Sequence, residues 1–294
     1  MTFMPLSQHT QENLLPKRKW IEAFRNKVVL ITGGSSGIGL ATARLFAACG
    51  AQLWLIARRQ ELLDSAVQAI HSVQLYSGQR CGYSTADVAK LDQVVNAIEQ
   101  ANQALGLPDI VINSAGITFP GYIQNIDLSV FHELMEVNYF GTVNVVKTLL
   151  PGMLARGSGH IVMISSLAGL LGIFGYSAYG ATKYALRGFS DVLRAEMKLR
   201  QIQVSIVYPP DTDTPQLAYE NQFKPFETRA VASNAGLLSP NYVARCILDG
   251  VQRKKYLIML NLESKLIYLL GGVLNPYLDY LAARARKRRL KQQP

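Results

Sequence analysis

Seven short apolar runs, separated by stretches of helical periodicity, restrict this chain more than any other feature. "KVVLIT", "QLWLIA", "RCGYST", "DIVIN", "HIVMIS", "QVSIVY" and "YLIML" follow one another between Lys27 and Leu260. Short runs that do not alternate in polarity suit strands buried on both faces. Their alternation with helical segments calls for right-handed βαβ crossovers and hence a parallel sheet. The expected fold is α/β, a doubly wound parallel seven-stranded sheet in a single domain over residues 27–260. Residues 1–26 read as a polar, loosely ordered extension in which "KRKWIEAFRNK" can form a short surface helix. Residues 261–294 read as a helical C-terminal segment, apolar first and then basic.

Composition narrows the function classes. With 294 residues, 49% of them hydrophobic, the chain can bury a full core. Cys49, Cys81 and Cys246 are scattered singly, as expected of buried thiols in a reducing, cytoplasmic compartment. His9, His71, His132 and His160 have no ligand spacing, so no metal site is expected. The net charge of +10 is concentrated at one end, because Arg284, Arg286, Lys287, Arg288, Arg289 and Lys291 fall in the last eleven residues. No array of basic and aromatic residues runs through the body, so no nucleic-acid partner is expected. Leu266 to Leu278 is thirteen residues without charge, short of the ~20 needed to cross a bilayer. Broken by Gly271-Gly272 and Asn275-Pro276, this stretch suits an interfacial helix pair with its arginines on anionic lipid. A packing helix with a frayed basic tail is the alternative.

The first strand runs into "ITGGSSGIGLATARLF". Gly33, Gly37 and Gly39 allow a tight turn and close backbone approach, and the following helix N-terminus presents free N–H groups to a pyrophosphate. The second strand ends in Ala57, Arg58 and Arg59, where a site for the unphosphorylated dinucleotide usually places a carboxylate. A guanidinium matches a 2′-phosphate in geometry and charge, so the expected cofactor is NADPH (NADP+).

"YGATK" puts Tyr179 and Lys183 on one helix face, thirteen residues after Ser166 in "ISSLAG". With Thr32-Gly33, Gly37-Ile38-Gly39, "NSAG" at Asn113–Gly116 and Asn138, these residues occur in the order and spacing of the short-chain dehydrogenase/reductase family, which the chain resembles over residues 27 to about 260. The resemblance implies a Rossmann-type fold and a ketone reductase whose catalytic residues are Asn138, Ser166, Tyr179 and Lys183. Ser166 would hydrogen-bond the carbonyl oxygen, Lys183 would also hold the nicotinamide ribose, and Asn138 would fix a water in a proton relay. The implied cofactor contacts are Gly33, Ser35, Ser36, Gly37, Ile38, Gly39, Arg58, Arg59, Asp87, Val88, Asn113, Ala115, Gly116, Tyr179, Lys183, Pro209, Thr212 and Thr214. Asp87 would sit by the adenine and Asn113 would brace the sheet, while Ser165 reads as a strand-end hydroxyl. A phenol has a pKa near ~10, and an ammonium ~4 Å away at an effective dielectric of ~20 would lower it by roughly three units. Lys183 is therefore expected to bring Tyr179 toward neutrality.

"VYPPDTDTP", at Val207 to Pro215, ends the sixth strand in a rigid polar elbow. In the family this elbow begins a loop over the nicotinamide, with Pro209 and Thr214 matching and Pro210 replacing a glycine. The stretch from Asp211 to Leu238 is too long for an ordinary connection and reads as a lid. The elbow and "KPFETR" resemble a branch of the family that reduces long-chain lipid ketones, so Asp211 or Asp213 is expected to meet a substrate ammonium. Eukaryotic members of that branch carry an apolar N-terminal segment, which Met1 to Lys27 does not resemble. The implied location is cytoplasmic or peripheral on a membrane, on the cytosolic face of the endoplasmic reticulum in a eukaryote. The family also implies a homo-oligomer paired through helices near 128–150 and 176–199. Reduction of a steroid ketone or a 3-oxoacyl thioester, and a non-catalytic NADP(H) sensor, remain open as alternatives.

Overall fold

The computed structural model describes residues 15–232 and 236–290. The expected extension over 1–14, the lid segment 233–235 and Lys291 with the last residues of the basic tail lie outside them. Strands β1 (Val28–Thr32), β2 (Gln52–Ala57), β3 (Cys81–Thr85), β4 (Ile110–Asn113), β5 (Gly159–Ile164), β6 (Ile202–Tyr208) and β7 (Leu257–Met259) match the seven apolar runs. They form one parallel sheet in the order β3-β2-β1-β4-β5-β6-β7. The order reverses between β1 and β4, which opens a crevice at their carboxyl ends.

The helices are α1 (Arg18–Phe24), α2 (Gly37–Ala48), α3 (Gln60–His71), α4 (Leu91–Leu105), α5 (Leu128–Met135), α6 (Gly141–Arg156), α7 (Ser177–Lys198), α8 (Pro215–Phe223), α9 (Phe226–Ala232), α10 (Pro240–Gln252) and α11 (Leu262–Leu290). Because successive side chains in a strand point to opposite faces, each run feeds two cores. Val29, Ile31, Ile112 and Val162 pack with α1, α2, α3 and α10. Leu30, Val111, Ile161 and Met163 pack with α4, α6 and α7 on the other face.

Helix α1 is a core element rather than the expected surface helix. Trp20 and Phe24 are buried in the first of these cores. The indole N–H of Trp20 donates to Asp249 on α10 at 3.0 Å, and Lys17 and Lys19 reach the same carboxylate at 2.8 and 3.1 Å. Phe24 meets Phe46 edge to face at 4.9 Å between ring centres. Truncating Trp20 to Ala should lower unfolding free energy by about 3–5 kcal/mol in a urea titration. An unchanged midpoint would show that α1 is dispensable to the body.

The segment expected to be a lid, Asp211 to Leu238, is largely helical among its described residues. Its ends are fastened together, since Asp213 N–H donates to the Leu238 carbonyl at 2.9 Å and Leu238 N–H to the Asp211 carbonyl at 3.0 Å. Between these ties run α8, with Pro215 in its first turn and the Thr214 hydroxyl capping Leu217 N–H, and α9. Further contacts hold the lid to the body. Tyr122 OH donates to Glu227 at 2.7 Å, and Thr228 OH donates to the Phe174 carbonyl at 2.8 Å. After β7, α11 packs along α9, and its Asn275 side chain accepts from Gly172 N–H at 3.1 Å.

Candidate active site

The crevice at the sheet's reversal point is where the expected site residues converge. Gly33 takes a positive φ of 66°, and a Cβ there would lie 2.8 Å from the backbone of Ala115. A Cβ on Gly39 would lie 2.2 Å from the Gly33 carbonyl oxygen. These contacts show why the turn needs glycine and leave the α2 N-terminus facing open space, the arrangement that receives a phosphate. Ser35, Ser36, Gly37 and Ile38 line the same cleft. At the end of β2, Arg58 and Arg59 are exposed on its rim. Asp87 and Val88 line it beyond β3, as do Ala115 and Gly116 after β4. The residues present therefore fit a dinucleotide. Asn113 does not reach the cleft: it is buried, and its amide donates to the Val162 carbonyl at 3.3 Å, bracing β4 on β5.

The catalytic candidates meet at the other end. Tyr179 and Lys183 come from the first turns of α7, and Ser166 caps a short turn directly after β5, its hydroxyl accepting from Ala168 N–H at 3.2 Å. All three line the cleft. Ser165 is a structural hydroxyl, donating to the Lys183 carbonyl at 3.2 Å. Asn138 lies behind the wall in a π-helical turn, Glu136–Phe140, that interrupts the run from α5 to α6. Its side chain accepts from Ile117 N–H at 2.8 Å, and donates to the Ile117 carbonyl and the Thr182 hydroxyl at 2.9 Å each. Asn138 therefore clamps the segment after β4 against α7.

The elbow closes the third side. Pro209 accepts from Leu167 N–H at 3.1 Å, which ties the lid's root to the segment that carries Ser166. Pro209, Thr212 and Thr214 line the cleft, and the Thr214 methyl would be 3.1 Å from a Cβ on Gly37. The lid thus lies over the phosphate end as well as the catalytic end.

The electrostatics differ from the simple expectation. Burial raises the Tyr179 pKa above the usual phenol range, and the Glu220 carboxylate pushes it the same way against the lowering effect of the Ser166 hydroxyl. Lys183 addresses the ring, with Nζ 5.4 Å from its centre, and donates to the Ile164 carbonyl at 3.0 Å. Burial pulls Lys183 down to about 8, with Glu220 opposing. The lysine is the group brought toward neutrality, not the tyrosine. Burial disfavours the charged form of each group, the phenolate and the ammonium, and it is the largest influence on both.

Residues 27–225 match the sequence profile described as short chain dehydrogenase. The chain belongs to that family. Within it, the chain is 40% identical to the 3-ketodihydrosphingosine reductase of Bos taurus over 226 residues, 76% of this chain and 68% of the bovine protein. It is 35% identical to the enzyme of that name from Dictyostelium discoideum, covering 90% of this chain and 84% of the relative. It is also 35% identical to the dehydrogenase/reductase SDR family member 7B of Rattus norvegicus, over 94% and 86%. Among solved structures, levodione reductase superposes with a TM-score of 0.75 over 82% of this chain and 99% of its own, at 24% identity. Membership in this family makes the chain an oxidoreductase with a nicotinamide cofactor.

Three residues that the sequence did not single out, Tyr176, Glu220 and Lys224, form a polar chain leading away from Tyr179. Tyr176 stacks obliquely on Tyr179 at 5.6 Å, and its OH donates to Glu220 at 2.5 Å. Lys224 bridges Asp211 at 3.1 Å and approaches Glu220 at 3.8 Å. The Glu220–Lys224 spacing of four was the available signal, but such pairs are common on solvated helices.

Proposed function

We propose that the chain reduces a long-chain lipid ketone of the 3-ketodihydrosphingosine kind to the corresponding alcohol, with NADPH as reductant. The observation that carries this reading is the identity to proteins named for that reaction, over a stretch long enough that it must include Asn138, Ser166, Tyr179 and Lys183. When bound, the reduced nicotinamide supplies the hydride. Tyr179 donates the proton to the carbonyl oxygen, and Ser166 hydrogen-bonds that oxygen and orients it. Lys183 keeps positive charge beneath the tyrosine as the proton leaves. Asn138, through its clamp on Ile117 and Thr182, holds the wall from which a relay to solvent can start.

Arg58 and Arg59, with Ala57 in place of a carboxylate, support the choice of NADPH. The reading extends to location and assembly. No single helix among the described residues is long and apolar enough to cross a membrane, although a pair bent by 110°, Ser264–Leu270 and Leu274–Arg288, passes by length and composition. The exposed Leu266, Leu269, Tyr277 and Tyr280, with Arg284, Arg286, Lys287 and Arg288 beyond, suit α11 to an anionic membrane surface on the cytosolic side. Phe140, Tyr184 and Val192 leave apolar area on α7 and on the π-helical turn before α6 for pairing with a second copy.

The test is NADPH oxidation against a panel of a long-chain keto base, a steroid ketone and a 3-oxoacyl ester. The keto base should give the highest kcat/KM, and equal efficiency on the steroid would defeat the lipid reading. In the same assay Arg58→Asp should raise KM for NADPH by about 10- to 100-fold and leave KM for NADH within a few-fold, since a charge-assisted phosphate contact is lost. A wild type that uses both cofactors alike would overturn the role given to the rim arginines.

A further inference from the structure

A buried carboxylate faces the catalytic end of the cleft. Glu220 sits on α8 with only 7% of its surface exposed and lines the same cleft as Tyr179 and Ser166. Its carboxylate accepts from Tyr176 OH at 2.5 Å and, weakly, from the Gln216 amide at 3.4 Å. The nearest cation on the lid is Lys224, whose ammonium stands 3.1 Å from Asp211 but 3.8 Å from Glu220. Two carboxylates thus share one ammonium, and that ammonium is nearer the other one. Lys183, the remaining cation at this end, is directed to the Ile164 carbonyl.

Glu220 meets Lys224 only at the outer reach of an ion pair, and a buried carboxylate gains from a closer cation. Tyr176 packs on Tyr179 and holds the Glu220 carboxylate at its own hydroxyl, so the carboxylate lies one aromatic ring away from the proton donor. In a 2-amino-3-ketone the ammonium is on the carbon next to the carbonyl. With the carbonyl oxygen between Ser166 and Tyr179, that ammonium falls in the same end of the cleft, which Tyr176 and Glu220 also line. The two lid aspartates expected to do this work are less suited. Asp211 is committed to Lys224, and Asp213 is exposed and does not line the cleft.

We propose that Glu220 receives the substrate ammonium and sets the preference for 2-amino ketones, with Tyr176 as the positioning residue that aims its carboxylate. The inference rests on the lipid-ketone reading above and adds the group that selects for an amine.

The experiment measures kcat and KM for a long-chain 2-amino-3-ketone, its N-acetyl derivative and the long-chain 3-ketone lacking the nitrogen, with NADPH binding followed by fluorescence as a check on folding. Wild type should favour the free amine over both neutral ketones. Glu220→Gln keeps an acceptor for Tyr176 and removes the charge. It should lower the amine-to-neutral ratio of kcat/KM by about 10- to 100-fold, through KM. Tyr176→Phe should lower the ratio by a smaller factor, because the carboxylate remains but is no longer aimed. A loss shared equally by all three substrates would make Glu220 merely structural and overturn the inference. So would a wild type that treats amine and neutral ketones alike, a comparison that needs no variant. In that case the lipid-ketone reading stands. If the wild type turns over no long-chain ketone at all, that reading falls together with this one.

Discussion

Replacing Tyr179 with Phe is expected to slow ketone reduction by about 10²- to 10⁴-fold while NADPH binding and stability stay near those of the wild type, the loss typical of a removed general acid. The substitution deletes one oxygen from a buried ring and keeps the ring's contacts with Tyr176 and the Lys183 ammonium. No other proton-bearing group shares its position. The Ser166 hydroxyl lies beside it, but an aliphatic hydroxyl is a far weaker acid. Tyr176 donates its own proton to Glu220, and burial and that carboxylate hold its pKa well above the usual range. The reading predicts loss in kcat rather than in KM, because the proton is transferred only as the carbonyl is reduced. Single-turnover measurement with saturating NADPH separates the two. Residual activity within tenfold of wild type would move the acid role to another group, with Tyr176 the nearest candidate. Loss of NADPH binding would instead mean that Tyr179 chiefly shapes the cofactor's seat.

The sheet was legible because a parallel strand covered on both faces carries apolar side chains at most positions, without alternation. "IVIN" and "HIVMI" therefore mark their strands without help from the rest of the chain. The cradle and the Tyr-Lys pair were legible for a different reason: turn geometry and a helical repeat act over a few residues. What the sequence hid depends on distant partners. In α1, Trp20 and Phe24 stand four apart in a run of lysines and arginines, and only the packing against α2 and α10 shows which face is inside. The lid helix α8, "PQLAYENQF", has no apolar stripe, so its period could not be told from a loop. Glu220 gains its meaning from Tyr176, forty-four residues earlier. Charge separation along the sequence does not reveal the field at Tyr179, because burial is the largest influence on both Tyr179 and Lys183.

That balance at Lys183 leads to an expected result in both stability and catalysis. Burial lowers its pKa from the usual 10.5 to about 8, so the folded chain holds its proton less tightly than the unfolded chain. Between those two values the unfolded state binds more protons, and the contribution of Lys183 to stability rises as the pH rises. Below about 8 the ammonium is charged in both states and its burial opposes folding in full. Above the unfolded value it is neutral in both and the opposition is gone. Other groups titrate in the same window, the buried thiols Cys49 and Cys81 among them, with burial raising both to about 12. The useful quantity is therefore the difference in unfolding free energy between wild type and Lys183→Met at each pH. In cofactor-free protein that difference should move in favour of the wild type by about 2 kcal/mol between pH 7.5 and 10. Activity should run the other way. Lys183→Met should lower kcat by about 100-fold or more at pH 7, because positive charge beside the developing tyrosinate is lost in a site of low dielectric. In the wild type, kcat/KM for reduction should fall on the alkaline side as the ammonium deprotonates near 8, and Lys183→Arg should carry that limb upward, since a guanidinium keeps its proton. A pH-independent stability difference would mean that Lys183 is as well solvated as a surface lysine. An alkaline limb unmoved in Lys183→Arg would place the titrating group elsewhere in the cleft.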